Sequence, residues 1–380
     1  MGVFTDITSN FIGKWNDLGI FFGATAVLSL ITIEFIKLNS LFRVLVYLSL
    51  ALSIGFLAIV NFKLIWLVLG IFSLVFLVYL ISLNKTRISA EIKEESSSGD
   101  IPFVTLSVLL ISLVFVLAGK PIGNYLSAKF NINQFETKLL WNTTFDVARE
   151  TLVKDPFLGS GPNRFAEQWL AYKPVAVNET LFWNTDFESG TGLVPTALVT
   201  TGILGALSWV FFFVVFLYSG FLSIFAVIED RISRYLATSS FLVALFLWVF
   251  NVLYVPSPTI VTLTFLFTGL FVASLAQEKM VKVKTISVAD DPKKSFVAVL
   301  VLILLLISAI SFGYFLIQKY ISYVYFQKGV LAYNQEGDLD KAERYLLRAG
   351  MLDGSDLYYR FLTQVNLIRM NKVLSQGKEV

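Results

Sequence analysis

Side chains capable of chemistry lie mainly in one segment of the chain, residues 119–192. Near its middle is the run PFLGSGPNRF, in which Pro156, Gly159 and Gly161 predict a tight turn and Arg164 places a cation beside it. Backbone N–H groups exposed in such a turn, together with the arginine, could bind a phosphate oxygen. Most turns with this spacing only reverse the chain direction, so the run by itself favours a structural role.

The rest of this segment is rich in basic, acidic and aromatic side chains. The residues concerned are Lys138, Arg149, Lys154 and Lys173, then Asp186 and Glu188, and the rings of Trp141, Trp169, Tyr172, Phe182 and Trp183. The chain contains no Cys and no His, which excludes disulfides, thiol nucleophiles and metal sites built from those residues. We therefore expect neither a metal nor another cofactor.

The whole chain has the composition of a membrane protein. It has 380 residues, 56% of them hydrophobic, 36 Phe and a mean hydropathy of +0.73, too apolar for an ordinary soluble domain. A helix that crosses a bilayer needs about 20 mostly apolar residues. Such stretches occur near 19–36, 41–60, 63–82, 101–118, 193–225, 236–254, 258–276 and 295–317. Because period-two alternation is absent, we expect an all-α membrane bundle of about eight spans.

The basic residues predict the orientation of this bundle. The connections on one side contain Lys37, Arg43, Lys85, Arg87, Lys93, Arg231, Arg234, Lys279, Lys282, Lys284, Lys293 and Lys294. Those on the other contain only Lys14 and Lys63, so the positive-inside rule places the first set in the cytoplasm of a plasma-membrane protein. The amino terminus, the loop 119–192 and the tail are then extracytoplasmic. The topology accounts for the Lys and Arg residues, so the net charge of +3 gives no reason to expect nucleic-acid binding. We expect Glu34 and Lys37 to form an ion pair at the membrane interface.

The tail contains an internal repeat. Tyr325 and Tyr359 lie 34 residues apart, as do Leu331 and Val365, and 34 residues is the tetratricopeptide period. Gly329 occupies a position where two helices of such a repeat pack closely, and no heptad pattern favours a coiled coil. The predicted organisation is therefore four spans in 1–118, the loop 119–192, four spans in 193–317 and a tetratricopeptide-like tail in 318–380. About one and a half repeats are present where about three are usual, which indicates missing repeats or docking on something else.

Two further segments adjoin the turn. Phe145, Ala148, Leu152 and Val153 recur at helical spacing, which predicts an amphipathic helix that Asp155 and Pro156 end. The apolar stretch 193–228 is too long for one perpendicular span, and Pro195, Thr196, Thr200, Thr201, Gly202 and Gly205 cluster in its first part. We expect either a broken segment that lines a polar pocket, with Asn251 and 255–258 at its rim, or one long tilted helix.

These features together resemble the O-antigen ligase and polymerase family. The resemblance covers about residues 141–220 and rests on DPFLGSGPNRF in a large outer loop, the Gly-Ile-Leu-Gly at 202–205 and the repeat tail. Family members are membrane glycosyltransferases. They take a glycan from a polyprenyl-diphosphate lipid on the outer face and join it to a glycan or lipid acceptor, and some carry carboxy-terminal tetratricopeptide repeats.

The resemblance implies roles for individual residues. Arg164, Arg149, Lys154 and Lys138 would bind the donor diphosphate, Asp186 or Glu188 would act as the base, and Trp141, Trp169 and Trp183 would stack on sugars. The tryptophans are equally typical of membrane-interface anchors, and the two carboxylates of a solvated loop end. The family's His before the Gly-x-x-Gly helix is absent, with residues 185–192 in its place. Its upstream Arg has no certain counterpart, although Lys138 or Arg149 could serve.

The alternative is a non-catalytic membrane scaffold that gathers envelope proteins through its tail, which the missing His favours. A transporter ranks third, because charges are nearly absent within the spans. The family usually has ten to twelve spans, most of them before the large loop, and here four precede it. We therefore expect the chain to be shortened at both ends relative to the family.

Overall fold

The computed structural model describes residues 10–90, 102–130, 132, 139–180, 183, 185–226, 230–281 and 292–377, apart from the side chains of 83–90, 376 and 377. Throughout these residues the regular structure is helical and contains no strand, as the sequence predicts. The chain forms two compact units, whose described parts are 10–281 and 292–377.

The described residues of the larger unit form nine α-helices. They are α1 (Trp15–Phe35), α2 (Ser40–Val60), α3 (Lys63–Ala90), α4 (Phe103–Phe130), α5 (Trp141–Lys154), α6 (Phe165–Tyr172), α7 (Leu193–Phe225), α8 (Arg231–Leu253) and α9 (Pro258–Gln277), with a 3-10 turn at Val175–Glu179. The smaller unit contains α10 (Pro292–Leu331), a π-helical turn (Ala332–Glu336), α11 (Leu339–Leu352) and α12 (Asp356–Gly377). Eight helices, α1–α4 and α7–α10, are long and apolar enough to cross a membrane, which confirms the eight predicted spans.

Three of these helices, α3, α4 and α10, continue well beyond the ends of the predicted spans, and α3 ends at Ala90 rather than near residue 82. The apolar stretch in α4 ends near residue 118, but the helix continues through Pro121 to Phe130. The apolar stretch in α10 ends near 317, but the helix continues to Leu331, and no Pro follows Pro292 within it. Hydropathy marks where a helix leaves the apolar layer and does not mark where the helix ends.

α1 lies at the centre of the larger unit. It packs against α2, α3, α8 and α9, and more than half of its span is buried within the protein. The core around it includes Ile20, Trp66 and Phe246, and the Trp66 ring stacks on Phe115 of α4 at 4.2 Å. The buried carboxylate of Asp17 ties the start of α1 to the start of α9, because it accepts hydrogen bonds from the backbone N–H groups of Lys14 and Ser257.

The contact of Glu34 differs from the sequence prediction. In the described part of the chain, Glu34 accepts a hydrogen bond from the Thr105 hydroxyl of α4 at 3.1 Å and forms no ion pair with Lys37. The predicted pair is therefore wrong. The helix packing explains the difference, since Thr105 is fully buried between the two helices whereas Lys37 is exposed.

The smaller unit is a helical hairpin built on the end of α10. Its core contains Phe326, Ala342, Leu346, Tyr358 and Val365. Gly329 allows α10 to approach α11, because a Cβ there would lie 2.9 Å from Leu346 Cγ. On the surface, the Arg369 guanidinium of α12 pairs with the Asp340 and Glu343 carboxylates of α11, each at 2.6 Å.

Candidate functional site

The loop that follows α4 folds against the first part of α7. The predicted amphipathic helix is α5, and its buried residues include Val147 and Ala148. They pack with Phe165 and Trp169 of α6 and with Val199 of α7 in one hydrophobic cluster. The loop therefore has a small core of its own, completed by a membrane helix.

The turn at 156–161 inserts into a break in α7. The break is at Gly202, whose φ of 65° and ψ of −161° are not helical. Four backbone hydrogen bonds join the two segments: the N–H groups of Ser160 and Gly161 donate to the carbonyls of Val199 and Thr200, both at 3.0 Å, and the N–H groups of Ile203 and Leu204 donate to the carbonyls of Pro156 and Phe157 at 3.0 and 3.2 Å. A broken helix leaves such groups unpaired. The turn supplies the partners that the helix lacks at this point.

Gly159 and Gly202 make this junction possible. Both have positive φ, 63° and 65°, a conformation that glycine adopts without steric cost. A Cβ on Gly159 would lie 2.5 Å from the Val199 carbonyl oxygen, and a Cβ on Gly202 would lie 2.5 Å from the Phe157 carbonyl. The backbones approach too closely for a side chain at either position.

The possibility that the turn binds phosphate through its backbone finds no free donor among the N–H groups that the structure accounts for. The N–H of Gly159 donates to the carbonyl of Asp155, and those of Ser160 and Gly161 donate to α7. Since each of these groups already has a partner, a ligand would have to break the junction to use it. Pro156, Gly159 and Gly161 therefore have a structural role, the interpretation that the isolated run favours.

Of the two alternatives for the stretch 193–228, the structure has the broken helix, but the cavity beside the break differs from the expected polar pocket. An open groove of about 430 Å³ is lined by Phe145, Ala148, Arg149, Leu152, Val153 and Leu198. Five of these six residues are apolar. Asn251 does not reach a rim, because its side chain is fully buried and donates to Thr264 Oγ1 at 2.8 Å.

The predicted diphosphate-binding cations differ in their surroundings. Arg149 lies at the groove, and Arg164 begins α6 with its side chain beside Gly161. Both are exposed, and neither has an ionic or hydrogen-bonded partner for its side chain within the described residues. Lys154 is instead engaged by Tyr172, with its Nζ 5.2 Å from the ring centroid. Lys138 lies outside the described residues, as does the ring of Phe182.

The electrostatic surroundings of Lys154 also shift the pKa of its ammonium group. Its polar interaction with the Tyr172 hydroxyl raises the pKa of the ammonium group, and the nearby charges of Asp155 and Glu150 act in the same direction. The ammonium remains charged at neutral pH and is directed towards Tyr172 of α6. Lys173, a further cation of the loop, donates to the backbone carbonyl of Trp183 at 2.9 Å.

The two candidate bases, Asp186 and Glu188, are both exposed. Between them, Phe187 turns inward and packs edge-on against Trp169 at 5.2 Å. The two carboxylates therefore lie on the solvent-facing side of residues 186–188. Within the described residues, the apolar surroundings that suit a carboxylate base are not present around them.

The three candidate stacking tryptophans have different environments. Trp169 is fully buried, and its Nε1 donates to the Thr185 carbonyl at 3.0 Å. The prediction that it stacks on a sugar is wrong, because neither face of the ring is accessible. Trp141 is half-buried beside Phe145, and Trp183 is exposed. These two rings remain available to a ligand.

A contact that closes the loop was not predicted from the sequence. Buried Thr191, just before α7, donates through its hydroxyl to the Leu139 carbonyl at 2.6 Å, and its N–H donates to Thr144 Oγ1 at 3.0 Å. This contact holds the end of the loop against the start of α5. Nothing in the spacing of these threonines indicates the contact.

In the described part of the chain, no group of three or more acidic side chains could hold a metal ion. Neither the protein-family models nor the curated proteins compared with this chain gave a match.

Proposed function

We propose that this chain is a membrane glycosyltransferase of the O-antigen ligase and polymerase type. It would take a glycan from a polyprenyl-diphosphate lipid at the outer face of the membrane and join it to a glycan or lipid acceptor. The supporting observation is the insertion of the turn 156–161 into the break at Gly202, because the two segments that resemble the family form one junction. The excess of Lys and Arg in the other connections supports an outer position for this junction.

The cations beside the junction support a diphosphate-linked donor. Breaking a sugar–diphosphate bond develops negative charge on the leaving group, and Arg is well suited to stabilise it. Arg149 and Arg164 are exposed and have no protein anion to neutralise them in the described structure. In this proposal they bind the diphosphate, and the lipid part of the donor remains in the bilayer.

Activation of the acceptor requires a base, and the chain has no His. Asp186 and Glu188 are the carboxylates closest in sequence to the start of α7. In this proposal an acceptor glycan covers them and excludes water, and one of the two carboxylates accepts the proton of the acceptor hydroxyl. Exposed Trp183 and half-buried Trp141 offer aromatic surface for the sugars.

The experiment is glycan transfer from a polyprenyl-diphosphate donor in vesicles that contain the full chain. Arg164→Ala and Arg149→Ala are compared with the wild type. Losing a hydrogen bond to a charged group costs about 1.5–3 kcal/mol, so each variant should lose roughly 10- to 100-fold in rate. Arg360→Ala, which removes an exposed arginine from α12, is the matched control and should keep full activity. Unchanged transfer in both loop variants would contradict the proposal.

The second candidate is a non-catalytic scaffold that recruits envelope proteins. The hairpin of α10, α11 and α12 favours it, because its helices and the 34-residue spacing suit a tetratricopeptide-like unit. The exposure of both candidate bases also favours it. A folded wild-type chain that transfers no glycan from any tested donor would support the scaffold over the enzyme.

A further inference from the structure

One surface of the loop is apolar and is not covered by the described chain. It comprises Phe145, Leu152 and Val153 of α5 with Phe157 and Leu158 of the turn, and we call it the apolar ledge. Val153 is 76% and Leu158 71% exposed, and Phe145 and Phe157 are exposed as well. Phe145, Leu152 and Val153 share the groove with Leu198 of α7, so the ledge is continuous with that helix.

The ledge continues into the lipid-facing side of α7. Phe157 accepts a hydrogen bond from Leu204, and the side chains of Ile203, Leu204 and Leu207 are exposed apolar groups on a membrane-spanning helix. The helical segment 203–225 rises about 34 Å, slightly more than the roughly 30 Å of a hydrocarbon core. The break, and with it the turn, therefore falls at the edge of the hydrocarbon.

The backbone of the turn is suited to this position. Non-helical backbone is excluded from lipid because unpaired N–H and C=O groups are costly there. In this turn the carbonyls of Pro156 and Phe157 and the N–H groups of Ser160 and Gly161 are bonded to α7. The junction therefore lowers the cost of bringing this part of the turn into contact with lipid.

Arg149 lies at the groove of the ledge. Its side chain is exposed and has no anionic partner in the described residues, although the rest of the groove is apolar. A cation bordering an apolar surface matches the arrangement of a phospholipid, whose phosphate lies just above its hydrocarbon chains.

We propose that the apolar ledge lies in the membrane, with the hydrocarbon chains of bilayer lipids in the groove and, while no donor diphosphate is bound there, a phospholipid phosphate at Arg149. The loop is then anchored in the same leaflet that α7 enters. This anchoring does not depend on whether the chain is an enzyme.

The test uses the absence of Cys from the chain, which allows a single spin label at any chosen position. The full chain is placed in phospholipid nanodiscs, and the label's collisions with oxygen and with a water-soluble nickel chelate are measured. Labels at Val153→Cys, Phe157→Cys and Leu158→Cys should meet oxygen freely and be protected from nickel, as should a reference label at Leu207→Cys. Glu150→Cys, on the exposed polar side of α5, is the matched control and should meet nickel freely.

Two results would overturn the proposal. Ledge labels as accessible to nickel as the label at Glu150 would show that the surface is in water. Labels protected from both reagents would show that protein, such as a second copy of the chain, covers the ledge. Three ledge positions are tested because a substitution at one could disturb folding, and each variant is checked by its thermal transition. Adding Arg149→Glu to Val153→Cys should raise nickel access at least twofold if the arginine binds lipid phosphate.

Discussion

Gly159 and Gly202 lie backbone to backbone, each in the space where the other would carry a side chain. One belongs to the loop and the other interrupts a membrane helix. This backbone contact fixes the position of the turn on α7, beside the packing of loop side chains against Val199. The stability of this junction should therefore be unusually sensitive to single methyl groups.

We expect Gly202→Ala to destabilise the larger unit by at least about 2 kcal/mol. The substitution adds strain from a positive φ, which costs on the order of 1–3 kcal/mol, and directs its methyl group at the Phe157 carbonyl. Thermal unfolding of the purified protein in detergent measures the change. Gly269→Ala is the matched control, because no atom lies within 4 Å of that Cβ position in α9. Equal transition temperatures for the two variants would contradict the described junction.

Removing the Thr144 hydroxyl should loosen the end of the loop. Thr144→Val leaves the buried N–H of Thr191 without its acceptor, a loss of about 1–3 kcal/mol. The result should appear as faster protease cleavage between α6 and α7 at a temperature where the wild type resists. Thr143→Val alters the neighbouring hydroxyl and should leave the cleavage rate unchanged. If both variants are cleaved at the wild-type rate, the threonine contact does not hold the loop.

The interaction between Lys154 and Tyr172 gives a pH-dependent prediction. The pKa of Lys154 is raised, so its stabilising contribution is fully present below the unfolded value of about 10.4 and is lost as pH rises through the folded value. Tyr172→Phe removes the hydroxyl and should lower the Lys154 pKa. Carbon-13 NMR of dimethylated lysines can follow this titration. Tyr218→Phe, which changes an exposed tyrosine of α7, should leave it unaltered, and an unaltered pKa in Tyr172→Phe would rule out the interaction.

The smaller unit gives a separate packing prediction. Gly329→Ala places a Cβ 2.9 Å from Leu346 Cγ and 3.3 Å from the Ala342 carbonyl, which should separate α10 from α11. We expect overpacking of this kind to cost about 1–3 kcal/mol and to expose the hairpin to protease. Gly354→Ala has no atom within 4 Å of its Cβ and serves as the control in the full chain. A hairpin equally resistant in both variants would show that α10 and α11 can separate without loss.

The spans could be predicted from the sequence because the bilayer imposes one physical requirement on each of them. A helix that crosses the bilayer must be apolar whatever its neighbours are. Stretches such as 63–82 can therefore be recognised as spans before the fold is known. A broken segment was one of the two alternatives for the stretch 193–228, because its length and its clustered Gly, Thr and Pro residues are unusual for one straight span, but the sequence did not place the break at Gly202.

The site was harder to predict because its contacts join distant parts of the chain. The turn at Gly159 has the composition of a phosphate-binding turn, but its N–H groups are used by carbonyls of α7 some forty residues away. Trp169 is of a residue type that can stack on sugars, but it is buried in the hydrophobic cluster with Phe165 and Val199. Residue types give the possible chemistry, and only long-range packing shows which groups remain free.

α10 has a mechanical consequence for the hairpin. The helix runs without a break from Pro292 through the apolar span to Leu331, and it contributes Ser322, Phe326 and Gly329 to the packing of the hairpin. Forty residues of helix form a rod of about 60 Å, and a rod cannot hinge where its surroundings change from apolar to polar. Any tilt or rotation of the span must therefore move the hairpin by the same angle. Movement of a binding partner held by α11 and α12 would therefore be transmitted through α10 to its membrane-spanning part.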